Sequence, residues 1–503
     1  MTDWPILSAL IWFPCLGAVV VLSCGDARPR LARWLSLAVT IITFGLSLFM
    51  VSQYAAGPGG YQMQEKLRWI PGINSSYHVG VNGISVALIV LTAVIHILVV
   101  GGAWEVIKVK VHQYMAAVLV LDGLLIGVFS SMDALLFYLF FEATLIPMFF
   151  LIGMWGGERR VYATLKFFIY MFFGSIFFLI GILYMYHVAG TFDLPALWAY
   201  PFTMKQQTWL FASFCIAFAV KTPMVPVHTW LPDAHVEAPT GGSVILAAIT
   251  LKLGLYGFIL FTLPIVPDAA QRYAWVIIVL SLIAIIYIGY VAMVQPDMKK
   301  LVAYSSIAHM GFVTLGLFIV FMLARQLHDV STAQLGVQGA VVQMVSHGFV
   351  SGALFTCIGV MYDRLHTHEI SVFGGLAKVM PWFGAFWVLF AMANTGLPGT
   401  SGFVGEFMVI LSSFTANPWI ALFAAYSLII SAGYTLWLIK RIVWSTPPTK
   451  EAAEMPEINT REGWVLGIFA IAVLAIGVYP WPLMHLMDSS VAQLVTHVMA
   501  SKV

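Results

Sequence analysis

Apolar segments of about twenty residues recur from one end of this chain to the other, as in VALIVLTAVIHILVVGG (86–102). That length at 1.5 Å per residue crosses the ~30 Å hydrocarbon core of a bilayer. Backbone in hydrocarbon has no water to bond, so each segment must be a helix that satisfies its own N–H and C=O groups. Composition agrees: the 503 residues are 61% hydrophobic and 9% charged, against about 25% charged in a soluble domain. The sequence predicts an all-α polytopic membrane protein whose first partner is the lipid bilayer. A net charge of +2 gives no basis for nucleic acid as a partner. Cys15, Cys24, Cys215 and Cys357 stand far apart without a CxxC pair, so neither a disulfide framework nor a metal or iron–sulfur site in this chain is expected. The N-terminus lacks a positive n-region and its early charge is Asp3. It reads as a retained first span, not a cleaved signal peptide.

The walk along the chain gives about fourteen spans, at 4–22, 31–53, 84–106, 114–131, 133–155, 161–187, 208–229, 241–263, 274–296, 299–322, 336–361, 380–414, 418–439 and 464–482. Loops after odd-numbered spans hold fifteen of the 24 Lys and Arg residues, and those after even-numbered spans hold six. Basic loops stay in the cytoplasm, so both termini are expected on the outer, periplasmic side of a bacterial inner membrane.

Two spans cannot be continuous helices. Span 7 carries Pro223 and Pro226 in AVKTPMVPVHTW, and span 12 contains NTGLPGTSGF (394–403); Pro and Gly at that density end a helix. The breaks lie five spans apart. A five-helix unit is odd-numbered, so its second copy enters from the opposite side. This predicts two inverted repeats, spans 4–8 and 9–13, and matched interruptions of this kind point to a transporter's ion site. The expected organisation is one transmembrane domain, 1–503. It comprises three N-terminal spans (1–113), a first repeat (114–263), a second, inverted repeat (274–439), and a cytoplasmic linker with the last span (440–503).

Ionisable groups sit deep in these spans. Glu142, Lys221, Lys252, His309 and His347 each fall about ten residues from a span end, near the bilayer midplane. Glu406 follows the second break, nearer the outer face. Charged groups at that depth seldom face lipid; they pair, line water or carry protons. The bland alternatives differ by site. His96 lacks a polar neighbour in sequence and reads as a core histidine. Lys166 is near enough to the cytoplasmic end to snorkel. Asp122 is ambiguous. Gln343, His347 and Ser351 share a helix face, which is more than a lone histidine, though helix–helix hydrogen bonding explains it too. Six groups at similar depth, two of them beside broken helices, favour a polar axis along the midplane. The chemistry suits protons. Low dielectric disfavours a charged amine and a nearby carboxylate restores it, histidine titrates near neutrality unaided, and a broken helix admits water beside them.

The motif KTPMVPVHTWLPDAHVEAPTGGSVILAAITLKLGLYG (221–257), with FFEATLIPMFFLIGMWGG (140–157), KKLVAYSSIAHMGFV (299–313) and GLPGTSGFVGEF (396–407), resembles the antiporter-like proton-conducting membrane subunits of respiratory complex I, NADH–quinone oxidoreductase. The likeness covers nearly the whole chain. It implies roles residue by residue. Glu142 and Lys221 resemble the family's carboxylate–lysine pair, Lys252 its central relay lysine, and His309 and His347 its connecting histidines. Glu406 resembles the residue ending the path toward the outer face; most relatives carry lysine there, and one branch carries this glutamate. The family loop usually reads APTPVSA where this chain has APTGGSV (238–244). A lateral C-terminal helix of the long relatives is expected to be absent, because only about 20 residues follow the last span. The resemblance also implies other membrane-arm subunits as partners, including two paralogous antiporter-like chains. FMN, iron–sulfur clusters and quinone would be held elsewhere in such a complex.

Other readings remain at this stage. A subunit of a multi-subunit cation/proton antiporter would share these motifs. A haem-carrying electron carrier would need paired histidines, which His96, His309 and His347 do not display in sequence. His366, His368 and Glu369 in DRLHTHEI suit a solvated loop better than a metal site, and 446–463 reads as a polar linker.

Overall fold

Three helices are buried almost all round and form the centre of the bundle: Thr240–Ile265, Met298–Gln326 and Val330–Leu365. A helix apolar on every face belongs inside other helices, and Lys252, His309 and His347 lie one on each of these three. Pro29–Gln53, Arg160–Ala189 and Thr460–Val478 turn most of their surface outward, as helices facing lipid do. The computed structural model describes residues 4–57 and 59–503, so Asp3 lies outside the described residues. Among these, eleven helices are long and apolar enough to cross a membrane. The remaining expected segments fall on shorter pieces: Ile6–Leu22, Met204–Lys221, and the pair Pro381–Asn394 and Ser401–Ala416.

Both expected breaks are present. The seventh segment stops at Lys221 and resumes as Trp230–Glu237. Trp230 Nε1 donates to the carbonyl of Val220 (3.0 Å) across the gap, occupying one of the acceptors a helix end leaves open. The twelfth stops at Asn394 and resumes at Ser401. Gly405, just past this break, packs against the backbone of Gln343; a Cβ there would stand 2.7 Å from the Gln343 nitrogen. Only glycine lets these two helices approach so closely.

The helical polytopic fold is as expected, with two elements added to it. One is an antiparallel hairpin of β1 (Gln62–Ile70) and β2 (Ser75–Val81), with Lys66 opposite His78 and Arg68 opposite Ser76. The alternation of Tyr77, Val79 and Val81 has the period of a strand, and Asn74 takes the left-handed conformation the turn needs. Asp193 anchors the hairpin, accepting from Lys66 Nζ (2.9 Å) and His78 Nδ1 (2.7 Å). Asp133 holds its other side, capping Ala134–Ala143 through the N–H groups of Leu135 and Leu136 while accepting from Ser76 N (3.1 Å).

The second added element lies at the C-terminus. Residues after the last span form a helix of their own, Trp481–Met499. Ser490 and Gln493 of this helix contact Gly83 and Gly60. Its end is tied down at Asp268, which accepts from Arg325 Nη1, Ser501 Oγ and Lys502 N (each 2.9 Å). About 20 residues after the last span are enough for about five turns of helix. The linker 446–463 is also held: Arg364 donates to Glu462 Oε2 (2.9 Å) and to the carbonyl of Pro456 (2.9 Å).

Candidate functional site

Four of the six singled-out residues form one connected row. Lys252 Nζ stands 2.8 Å from His347 Nδ1. The rings of His347 and His309 face each other with centroids 5.8 Å apart. His309 Nδ1 lies 2.6 Å from Glu406 Oε1, which also accepts from Gln343 Nε2 (3.0 Å). Lys252 is fully buried, and His347, His309 and Glu406 are each at most 5% exposed. The row crosses four helices that are distant in sequence, so it exists only through tertiary packing.

Local backbone explains each position. A π-turn at Leu246–Thr250 precedes Lys252. Its wider winding leaves the carbonyl of Ala247 to accept from Lys252 Nζ (2.6 Å). Glu406 lies in the second turn of the helix that restarts after the break, and Gly396, at φ +76°, folds the broken backbone back over its carboxylate. Two cavities of about 10 Å³ each adjoin His309. One lies between His309, Gln343, Ser346 and His347, the other beside Glu406, Ser427, Ser431 and Tyr434. Such a volume holds about one water.

Glu142 and Lys221 are not closed into an ion pair. Lys221 Nζ sits 4.6 Å from the ring centroid of Phe141, the neighbour of Glu142. Among the described residues no hydrogen-bond partner reaches Glu142 Oε2. Both residues border the first break, and neither touches the Lys252 row directly.

His235 escaped the sequence reading. It is fully buried in Trp230–Glu237, stacked on Phe355 at 4.4 Å, and both ring nitrogens lack a protein partner. The signal was available: it sits in the half-helix that follows the first break. His96 also differs from expectation. It donates to the Thr92 carbonyl (2.8 Å) and lies 3.4 Å from Asp122, both residues being fully buried. The pairing joins two neighbouring helices, Gly83–Val106 and Val111–Ser130, which local sequence does not show. Lys166 does not simply snorkel; its Nζ reaches Asp233 at 2.7 Å, bracing the half-helix after the break. In DRLHTHEI, His368 stacks on Tyr362 at 4.4 Å.

Comparison with known proteins identifies the family and the fold. The family described as NADH:quinone oxidoreductase/Mrp antiporter, transmembrane, matches residues 131–431, which contain all six residues. NADH-quinone oxidoreductase subunit M of Rhodobacter capsulatus is 45% identical over 97% of this chain and 96% of its own. A chain of respiratory complex I from Thermus thermophilus superposes with a TM-score of 0.86 at 29% identity, covering 97% of this chain and 99% of that one. A chain of the Mrp complex from a Dietzia species shares the fold at a TM-score of 0.84 and 20% identity, over 99% and 100% of the two chains. This chain belongs to the subunit M family of NADH–quinone oxidoreductase, a family of multi-pass membrane subunits with an antiporter-like fold.

Proposed function

We propose that this chain is a membrane-arm subunit of NADH–quinone oxidoreductase that conducts protons, driven by NADH oxidation and quinone reduction in other subunits. The observation that carries the reading is the contiguous row Lys252–His347–His309–Glu406.

The two ends of the row fix its tautomers. An ammonium only donates, so His347 Nδ1 accepts from Lys252 and its other nitrogen carries the proton. A carboxylate only accepts, so His309 Nδ1–H donates to Glu406 and its Nε2 is left as an acceptor. Neither Nε2 has a protein partner, and one of the water-sized cavities lies between the rings. A proton given by Lys252 to Nδ1 of His347 releases another from its Nε2. That proton crosses to Nε2 of His309, and His309 passes its Nδ1 proton to Glu406. Resetting returns the imidazoles to their first tautomers.

Glu142 and Lys221 form the gate of this reading. The open arrangement, with the amine over Phe141, is one position; a closed ion pair is the other. Opening and closing change how strongly the site holds a proton, which couples it to events elsewhere. The two five-helix units, spans 4–8 and 9–13, act as inverted halves, with both termini on the periplasmic side of a bacterial inner membrane. Partners are other membrane-arm subunits, among them two paralogous antiporter-like chains, while FMN, iron–sulfur clusters and the quinone site belong elsewhere in the complex.

The test is proton uptake by inverted vesicles, measured alongside NADH oxidation and the amount of intact complex. Glu142→Gln should lower uptake and oxidation together with assembly preserved. Normal uptake in that variant would overturn the gate.

A second reading, a subunit of a multi-subunit cation/proton antiporter, has the fold likeness to the Mrp complex in its favour. Identity of 45% to a quinone-reductase subunit weighs against it. Copurification with a quinone-reducing arm, or with small antiporter subunits, separates the two.

A further inference from the structure

The outer wall of the bundle carries a groove unrelated to the proton axis. It has a volume of about 480 Å³ and runs between the end of Pro267–Met293 and the helix Pro418–Ile439, lined by Met293, Val294, Gln295, Pro296, Gly433, Trp437 and Arg441. Five of the seven are apolar or glycine, and the Gln295 amide is engaged on the carbonyl of Val291 (2.9 Å). At one end the guanidinium of Arg441 stacks on Trp437, 4.5 Å from its ring. The ion pairs among described residues engage Arg159, Arg325, Arg364 and Arg461 but not Arg441. Its charge is therefore uncompensated by the protein.

Three features make this a built site. Gly433 keeps the floor low: a Cβ there would stand 3.0 Å from Met293 Cε. A π-turn, Lys440–Trp444, ends the helix and sets Arg441 over the groove, with Lys440 beside it. Trp437 and Trp444 are both exposed toward this end of the helix, and amphipathic rings mark the headgroup zone of a bilayer. A lipid-facing slot with an unpaired guanidinium at headgroup height matches one kind of molecule. Its tail needs apolar walls, and its phosphate head needs the planar, two-pronged donor that a guanidinium supplies.

We propose that this groove binds an anionic phospholipid, one acyl chain lying along Met293 and Gly433 and the phosphate held by Arg441. A free phosphate has nothing to place on the apolar walls, and a zwitterionic lipid lacks the net negative charge that Arg441 and Lys440 together favour.

The experiment uses the intact complex, extracted in mild detergent, with bound lipids counted by mass spectrometry. Arg441→Ala removes the head contact and Gly433→Leu fills the slot, while Lys450→Ala, at an exposed lysine elsewhere, is the control. The wild type and the control should retain one more anionic phospholipid per complex than either variant. Readdition of phosphatidylglycerol should restore it about tenfold less tightly in Arg441→Ala, the order expected for losing a charge-assisted hydrogen bond. Equal retention in all four proteins overturns the proposal. So does competition by millimolar inorganic phosphate, or loss of a neighbouring subunit with the lipid count unchanged, which would make the groove a protein contact.

Discussion

Lys252 and His347, 95 residues apart in sequence, meet at 2.8 Å between Nζ and Nδ1 in the buried centre of the bundle. Two groups that can both be cations do not share such a contact while both are charged. One proton is therefore held between them, and the pair acts as a single titrating unit.

Removing either member should have the same consequence. Lys252→Met and His347→Ala should each lower proton uptake by about tenfold or more, and the double variant should be little worse, because members of one unit are not additive. Uptake by inverted vesicles, normalised to assembled complex, measures this. Additive losses would show that the two work separately.

Glu406 has two supports, and they predict unequal effects. Glu406→Gln removes the acceptor at the end of the row and should stop transfer with the complex assembled. Gln343→Leu removes one hydrogen bond to the same oxygen, a contribution of about 1.5–3 kcal/mol, and should slow uptake without abolishing it. The ratio of uptake to NADH oxidation in the two variants is the measurement. Gln343→Leu as severe as Glu406→Gln would make Gln343 part of the row itself.

The hairpin offers a check on orientation. Leu67 is 66% exposed near the middle of β1 and Arg30 is exposed between the first two spans. In a background lacking the four native cysteines, Leu67→Cys should react with an impermeant thiol reagent in intact cells and Arg30→Cys should not. The opposite pattern would reverse the topology and the inverted-repeat reading with it.

Acid should loosen the same hairpin. Burial raises the affinity of Asp193 for its proton, but the His78 imidazole and the Lys66 ammonium outweigh that and hold the carboxyl below its ordinary value. A carboxyl depressed in the fold stabilises above its ordinary range, near 3.9, and loses that stabilisation as pH falls through its folded value. Proteolysis of the hairpin should thus accelerate below about pH 4, and Asp193→Asn should show the fast rate already at neutral pH. Lys66 is half exposed, so salt should weaken its share more than that of His78.

Much of this was legible in the residues because membrane chemistry writes itself in long runs. The apolar segments, the breaks at Pro223 and at 394–403, and the depth of Lys252 or Glu406 are all local. What escaped was either short or tertiary. The hairpin is a period of two inside a stretch read for spans, and Trp481–Met499 is too polar on one side to register as one. The partnership of His96 with Asp122 joins residues on separate helices. Glu142 and Lys221 resemble a carboxylate–lysine pair in sequence, and the distance between their side chains is set by tertiary packing, which sequence does not display.

The π-turns at Leu246–Thr250 and Ala284–Ile288 also bear on how this chain can be compared with itself. Each holds one residue more than an α-helix of the same rise, so it advances the numbering by one while the axis stands still. A helical wheel drawn through span 8 at 3.6 residues per turn would rotate everything after Thr250 by about 100°, away from His347. Faces before and after such a turn belong to separate wheels, and any alignment of one span on another must slip its register by a residue at these points.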